Sequence, residues 1–123
     1  VTDMRGMFLY AEAFNQNIGG WDVASVSNMH GMFNRATSFN QDIGDWNVAS
    51  VTNMERMFYN ATEFHQDISG WNVHNVTNMS EIFNGSGLTT TNINEISNNW
   101  IPKMNGNTTA IGQLRDSLNS LDS

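Results

Sequence analysis

The side chains best suited to chemistry in this chain are three histidines, His30, His65 and His74, and two acidic residues, Asp42 and Asp67, set 25 positions apart. A metal site needs His or carboxylate ligands at a spacing that lets them converge, and these histidines recur at no common interval. Asp42 and Asp67 hold the same place in consecutive repeats, which predicts a surface row rather than an enclosed acid–base pair. No Ser stands in a nucleophile-elbow motif, and there is no Gly-rich phosphate loop and no calcium-loop spacing. Asp3 and the file Asn28, Asn53 and Asn78 read as turn or cap residues instead. These residues predict a protein that is not an enzyme and that binds neither metal nor cofactor.

The elements that carry these residues repeat every 25 positions. Met4, Met29, Met54 and Met79 share a phase, as do Phe8, Phe33, Phe58 and Phe83. Trp21, Trp46 and Trp71 share another, and Val1, Val26, Val51 and Val76 a fourth. Such a period is the mark of a stacked-repeat protein, in which a unit buries its apolar side only against its neighbours.

Within one unit, Ile18, Trp21, Val23 and Val26 follow I-x-x-W-x-V-x-x-V, the spacing of a leucine-rich repeat with larger residues in its slots. Trp21 and Val23 are two apart, as on one side of a short strand. Met29, Met32, Phe33 and Ala36 then adopt the i, i+3, i+4, i+7 spacing of an amphipathic helix. Ser27, Thr52 and Thr77, or the Asn that follows each, would cap those helices. A return loop F-N-Q-D-I-G closes the unit, and its Gln16, Gln41 and Gln66 are expected to hold loop backbone rather than a ligand. The fold expected is an α/β repeat solenoid, leucine-rich-repeat-like, with one short strand and one short helix per 25-residue unit and a C-terminal helical cap.

The pattern decays at both ends. Val1 is in phase with Val26, as if the first half of a unit were missing at a fragment boundary. After Phe83, Gly85-Ser86-Gly87 interrupts the unit, Ile93 and Ile96 fall into the Ile and Trp slots, and Pro102 blocks further regular pairing. Asn107-Thr108-Thr109 would then cap a helix with Ile111, Leu114, Leu118 and Leu121 on one side. Residues 1–86 are thus expected to hold about three and a half units. Residues 87–123 would form a degenerate last unit and a capping helix over the open repeat.

The string F-N-Q-D-I-G-D-W-N-V-A-S-V-T-N-M-E-R-M-F-Y-N-A, from Phe39 to Ala61, resembles the repeat of BspA-like leucine-rich-repeat surface proteins, and the likeness extends over about residues 1–84. The resemblance implies a secreted or cell-surface protein of adhesin type, with no catalytic residues. It does not extend to the tail from Gly87 onward.

Composition narrows the partners. A net charge of −7 with five scattered basic residues excludes the phosphate-binding surface that nucleic acid needs. No apolar run approaches the length required to enter a membrane, and cysteine is absent, so disulfides play no part. Trp21, Trp46 and Trp71 are expected inside as a stacked ladder. The outward strand positions would then tile a polar sheet face, and Asp22, Asn47 and Asn72, with Asp45 and His74, are its candidate binding residues. Asn60, Asn75, Asn78, Asn84 and Asn107 each open an N-x-S/T triplet and are possible glycosylation sites, at a frequency only slightly above chance. Together these features predict an extracellular binding module for a protein or glycan partner. The alternative is a structural module that self-associates into a fibre or surface layer.

Overall fold

The computed structural model describes residues 1–121, and among them regular secondary structure is confined to the tail. Helix α1 spans Thr90–Trp100, a short 3₁₀ turn follows at Ile101–Lys103, and helix α2 spans Thr108–Asn119. The expected strand and helix within each repeat are both absent. The β-pairing between units, among the described residues, is limited to isolated parallel bridges from Asp3 to Asn28 to Asn53 to Asn78. The architecture is a stack of turn-built layers closed by helices, and not an α/β solenoid with a strand in every unit.

Left-handed residues explain the missing helix. Gly6, Gly31, Arg56 and Glu81 occupy one phase of the repeat with φ between 54° and 63°, and Tyr10, Arg35, Asn60 and Gly85 occupy another with φ between 55° and 73°. Two such residues four positions apart forbid an α-helical run between them. The backbone donors divide instead between two destinations. The N–H groups of Met29, Gly31, Phe33 and Arg35 donate to the next layer, to the carbonyls of Asn53, Glu55, Met57 and Tyr59, at 2.8–2.9 Å. Those of Met32, Asn34 and Ala36 turn back to carbonyls three residues earlier at 3.0–3.2 Å. Met29, Met32, Phe33 and Ala36 still all face inward, with no exposed surface, so a ribbon of overlapping turns reproduces the apolar spacing of a helix.

The segment expected as a strand is also made of turns. Trp21 N–H closes on Ile18 C=O, Val26 N–H closes on Val23 C=O, and the Asp22 carboxylate accepts the Ala24 N–H. Ser27, Thr52 and Thr77 cap no helix. Their hydroxyls and amides reach the previous layer together: Thr52 Oγ1 and N both donate to Ser27 C=O, at 3.2 and 2.8 Å.

Layers lie close because their aromatic rings stack. Phe8, Phe33, Phe58 and Phe83 form one column with ring centres 5.5–5.7 Å apart and planes within 9°. Trp46, Trp71 and Trp100 form another at 6.3 and 6.0 Å, each indole N–H donating to an Ile carbonyl of the preceding layer. Buried indoles with a satisfied N–H contribute area without a desolvation cost. Trp100, not Ile96, continues this column, although it stands on α1 rather than in a repeat. Glycine permits the same closeness in the return loop: a Cβ on Gly44 would stand 2.7 Å from Asp67 C=O.

Helix α2 finishes the last layer by substitution. Its N-cap Asn107 accepts the Ala110 N–H, and Ala110, Leu114 and Leu118 are buried. On the same helix Gln113 Oε1 accepts the Met79 N–H at 3.0 Å and Ser117 Oγ accepts the Phe83 N–H at 2.8 Å. In interior layers, backbone carbonyls of the following unit receive those two N–H groups. Residues four apart on a helix rise about 6 Å on one face, so two side chains stand in for two carbonyls.

Candidate functional site

Three Asx turns per unit set the outer surface, and three of the five candidate binding residues, Asp22, Asn47 and Asn72, form one of them. Asp22, Asn47 and Asn72 are exposed, but each side-chain oxygen accepts the N–H two residues on, at 3.0–3.1 Å. Because the described residues form no sheet, Asp22, Asn47 and Asn72 do not tile a sheet face; they form a file of turn formers along one edge. His74 lies apart from Asp45, tied to the loop before α2 through Asn105 Nδ2 at 3.3 Å from its Nε2.

Asp45 instead joins Asp42, Gln66 and Asp67 around a shallow, open hollow of about 370 Å³ between two layers. Asp67 is held below its ordinary carboxylate value by the Ser69 hydroxyl at 2.6 Å and the Ser69 N–H at 2.9 Å. Among the described residues, no three His, Asp or Glu side chains gather as metal ligands. Gln66 is engaged elsewhere, its Nε2 donating to both Asn40 C=O and Asn40 Oδ1. Gln41 repeats the pattern on Asn15, so the loop amides hold neighbouring layers together.

Four of the five sequon asparagines have structural duties. Asn75 Nδ2 donates to Ala49 C=O at 2.7 Å, and Asn78 Nδ2 donates to Glu55. Asn84 Oδ1 accepts the Ser117 hydroxyl, and Asn107 caps α2. Asn60 is half-buried in a left-handed turn.

A second edge escaped the reading of the sequence. On the turn ribbon, the Arg35 guanidinium lies 5.6 Å from the ring centres of both Tyr10 and Tyr59, one layer to either side. Arg56 covers Tyr59 at 5.3 Å and pairs with Glu81 at 2.9 Å, which raises its pKa further above an already high value. Tyr10 and Arg35 are 25 residues apart, and that shared phase was the available signal: in-phase side chains stack in this fold.

A family model described as "Mycoplasma protein of unknown function, DUF285" matches residues 1–100. The chain belongs to this family. No curated protein and no solved structure matches it. The part matched to DUF285 ends at Trp100, the residue that carries the indole column onto α1, and it includes the whole arginine–tyrosine edge. Gln113 and Ser117, which close the last layer of this DUF285 chain, lie beyond it.

Proposed function

We propose that this DUF285 chain is a non-enzymatic binding module that acts in secreted form or at a cell surface, with a protein or glycan as partner. One observation carries the reading: exposed side chains recur in register through successive layers, while the hollow lined by Asp42, Asp45 and Asp67 is open to solvent. Repeated open edges suit contact with an extended partner, whereas catalysis needs one asymmetric, enclosed group of residues. The likeness of Phe39–Ala61 to BspA-like surface proteins supports a place outside the cell. End-to-end assembly is the weaker alternative, because Gln113 and Ser117 already accept two of the N–H groups that a following layer would take.

The test is a screen of the purified chain against immobilised matrix proteins, polysaccharides and the chain itself. Saturable retention on a protein or polysaccharide supports the module reading. Retention only on itself, or none at all, counts against it.

A further inference from the structure

The chain holds two Asn–Gly pairs, Asn84–Gly85 and Asn105–Gly106. Glycine has no Cβ, so its nitrogen can close on the preceding side chain with little hindrance. The pairs share that chemistry and differ in how the fold holds them. Asn84 is half-buried in the last layer; its C=O accepts the Asn60 N–H at 2.7 Å and its Oδ1 accepts the Ser117 hydroxyl at 2.6 Å. Turning the peptide between Asn84 and Gly85 breaks the first bond, and swinging the side chain breaks the second.

Asn105 has neither restraint. It is exposed at the joint between the 3₁₀ turn and α2, and it and Gly106 are consecutive left-handed residues with φ of 54° and 66°. Among the described residues, neither the Asn105 C=O nor the Gly106 N–H makes a hydrogen bond. Nothing stands within 4 Å of the place a Cβ on Gly106 would take. The side chain is held by long contacts, from Nδ2 to His74 Nε2 at 3.3 Å and to His74 C=O at 3.5 Å. The peptide can therefore rotate without breaking a backbone bond, which lets Gly106 N reach Asn105 Cγ.

We propose that Asn105 is a covalent modification site, at which the chain deamidates itself through a cyclic imide. Gly106 N bonds to Asn105 Cγ, the Cγ–Nδ2 bond breaks, and Nδ2 leaves as ammonia with the proton given up by Gly106 N. Water then opens the imide. Attack at Cγ yields aspartate, and attack at the main-chain carbonyl yields isoaspartate. Either product puts a carboxylate where an amide donor faced His74, and isoaspartate adds one carbon to the main chain just ahead of the Asn107 cap of α2. The change falls on the link to α2 and leaves the contacts of Gln113 and Ser117 in place.

The full chain would be incubated at neutral pH in heavy-oxygen water, both folded and in guanidinium chloride, and its peptides mapped by mass and by an isoaspartate-specific methyltransferase. In the folded chain Asn105 should exchange NH for heavy oxygen and give both products. Asn84 should convert at least about tenfold more slowly, as expected when a rung and a short side-chain bond must first be broken. In guanidinium chloride the two pairs should convert at closely similar rates, since only the fold distinguishes them. An Asn105 peptide unchanged in the folded chain, or equal rates at Asn84 and Asn105 there, would overturn the site. Conversion at Asn105 without isoaspartate would overturn the imide route.

Discussion

The last repeat of this chain meets two helices, whereas the first meets solvent, and the same positions of the unit face both. Trp71 has Trp100 stacked on it and is 1% exposed; Trp21 lies in the first layer and is 40% exposed. Met32 and Met57 are fully covered, while the equivalent Met7 is 46% exposed. The carbonyls of Asp3, Arg5, Met7 and Leu9 accept no bond from the described residues, whereas their equivalents in the second layer, Asn28, His30, Met32 and Asn34, all do. A layer is therefore only as stable as the neighbours on its two sides, and what covers it need not be another repeat.

The largest test of that contrast is a pair of truncations. Trp71→Ala should cost about 3–5 kcal/mol in urea unfolding, the range for deleting a fully buried large aromatic. Trp21→Ala should cost about 1 kcal/mol. Equal losses would mean that position in the stack does not matter. Gly44→Ala comes next, at about 3 kcal/mol, because the new Cβ would push against the Asp67 carbonyl of the next layer. Gly20→Ala has nothing within 4 Å and should leave the midpoint nearly unchanged.

Ser117→Ala probes the cap itself. Ser117 is buried at 2% exposure, accepts the Phe83 N–H and donates to Asn84 Oδ1. Removing the hydroxyl leaves a buried N–H without an acceptor and should cost about 2 kcal/mol. Hydrogen exchange should accelerate at Phe83 and not at Phe33, whose N–H pairs with the Met57 carbonyl.

The smallest effect concerns pH. Asp67 is depressed below its ordinary value of 3.8 in the folded chain, so its contribution is complete above that value and is lost as pH falls through the folded one. Ser69→Ala removes the hydroxyl bond, and an NMR titration should then show the Asp67 carboxyl moving up toward 3.8. Stability of the variant should fall less steeply on acidification. An unmoved titration would show that the Ser69 backbone N–H alone sets the depression.

How much of this was legible in the sequence follows from what repeats. Side-chain phase marks which residues face inward, so the Met and Phe columns could be read directly. In the Trp column Trp46 and Trp71 are buried as expected, whereas Trp21 is 40% exposed and Trp100 takes the next place. Backbone conformation could not be read from the same spacing, since turn ribbons and helices both place positions i, i+3, i+4 and i+7 on one side. The in-phase pair Gly6 and Gly31 was the available warning of a left-handed position, muted because Arg56 and Glu81 fill the same place in later units. Asp22, Asn47 and Asn72 were legible as a file, but their local hydrogen bonds are a property of turns that a strand assignment hides. The Arg35 edge required combining phase with charge, because Tyr59 sits one residue short of Tyr10's register.

The rungs between layers have a mechanical consequence. They join one layer to the next, and the first unit and α2 lie at opposite ends of the stack. Tension applied between those ends loads the layers in series, so they should peel away singly rather than slide. Each released unit of 25 residues would lengthen the chain by at most about 85 Å. Under load the domain would behave as an extensible tether that yields in uniform steps.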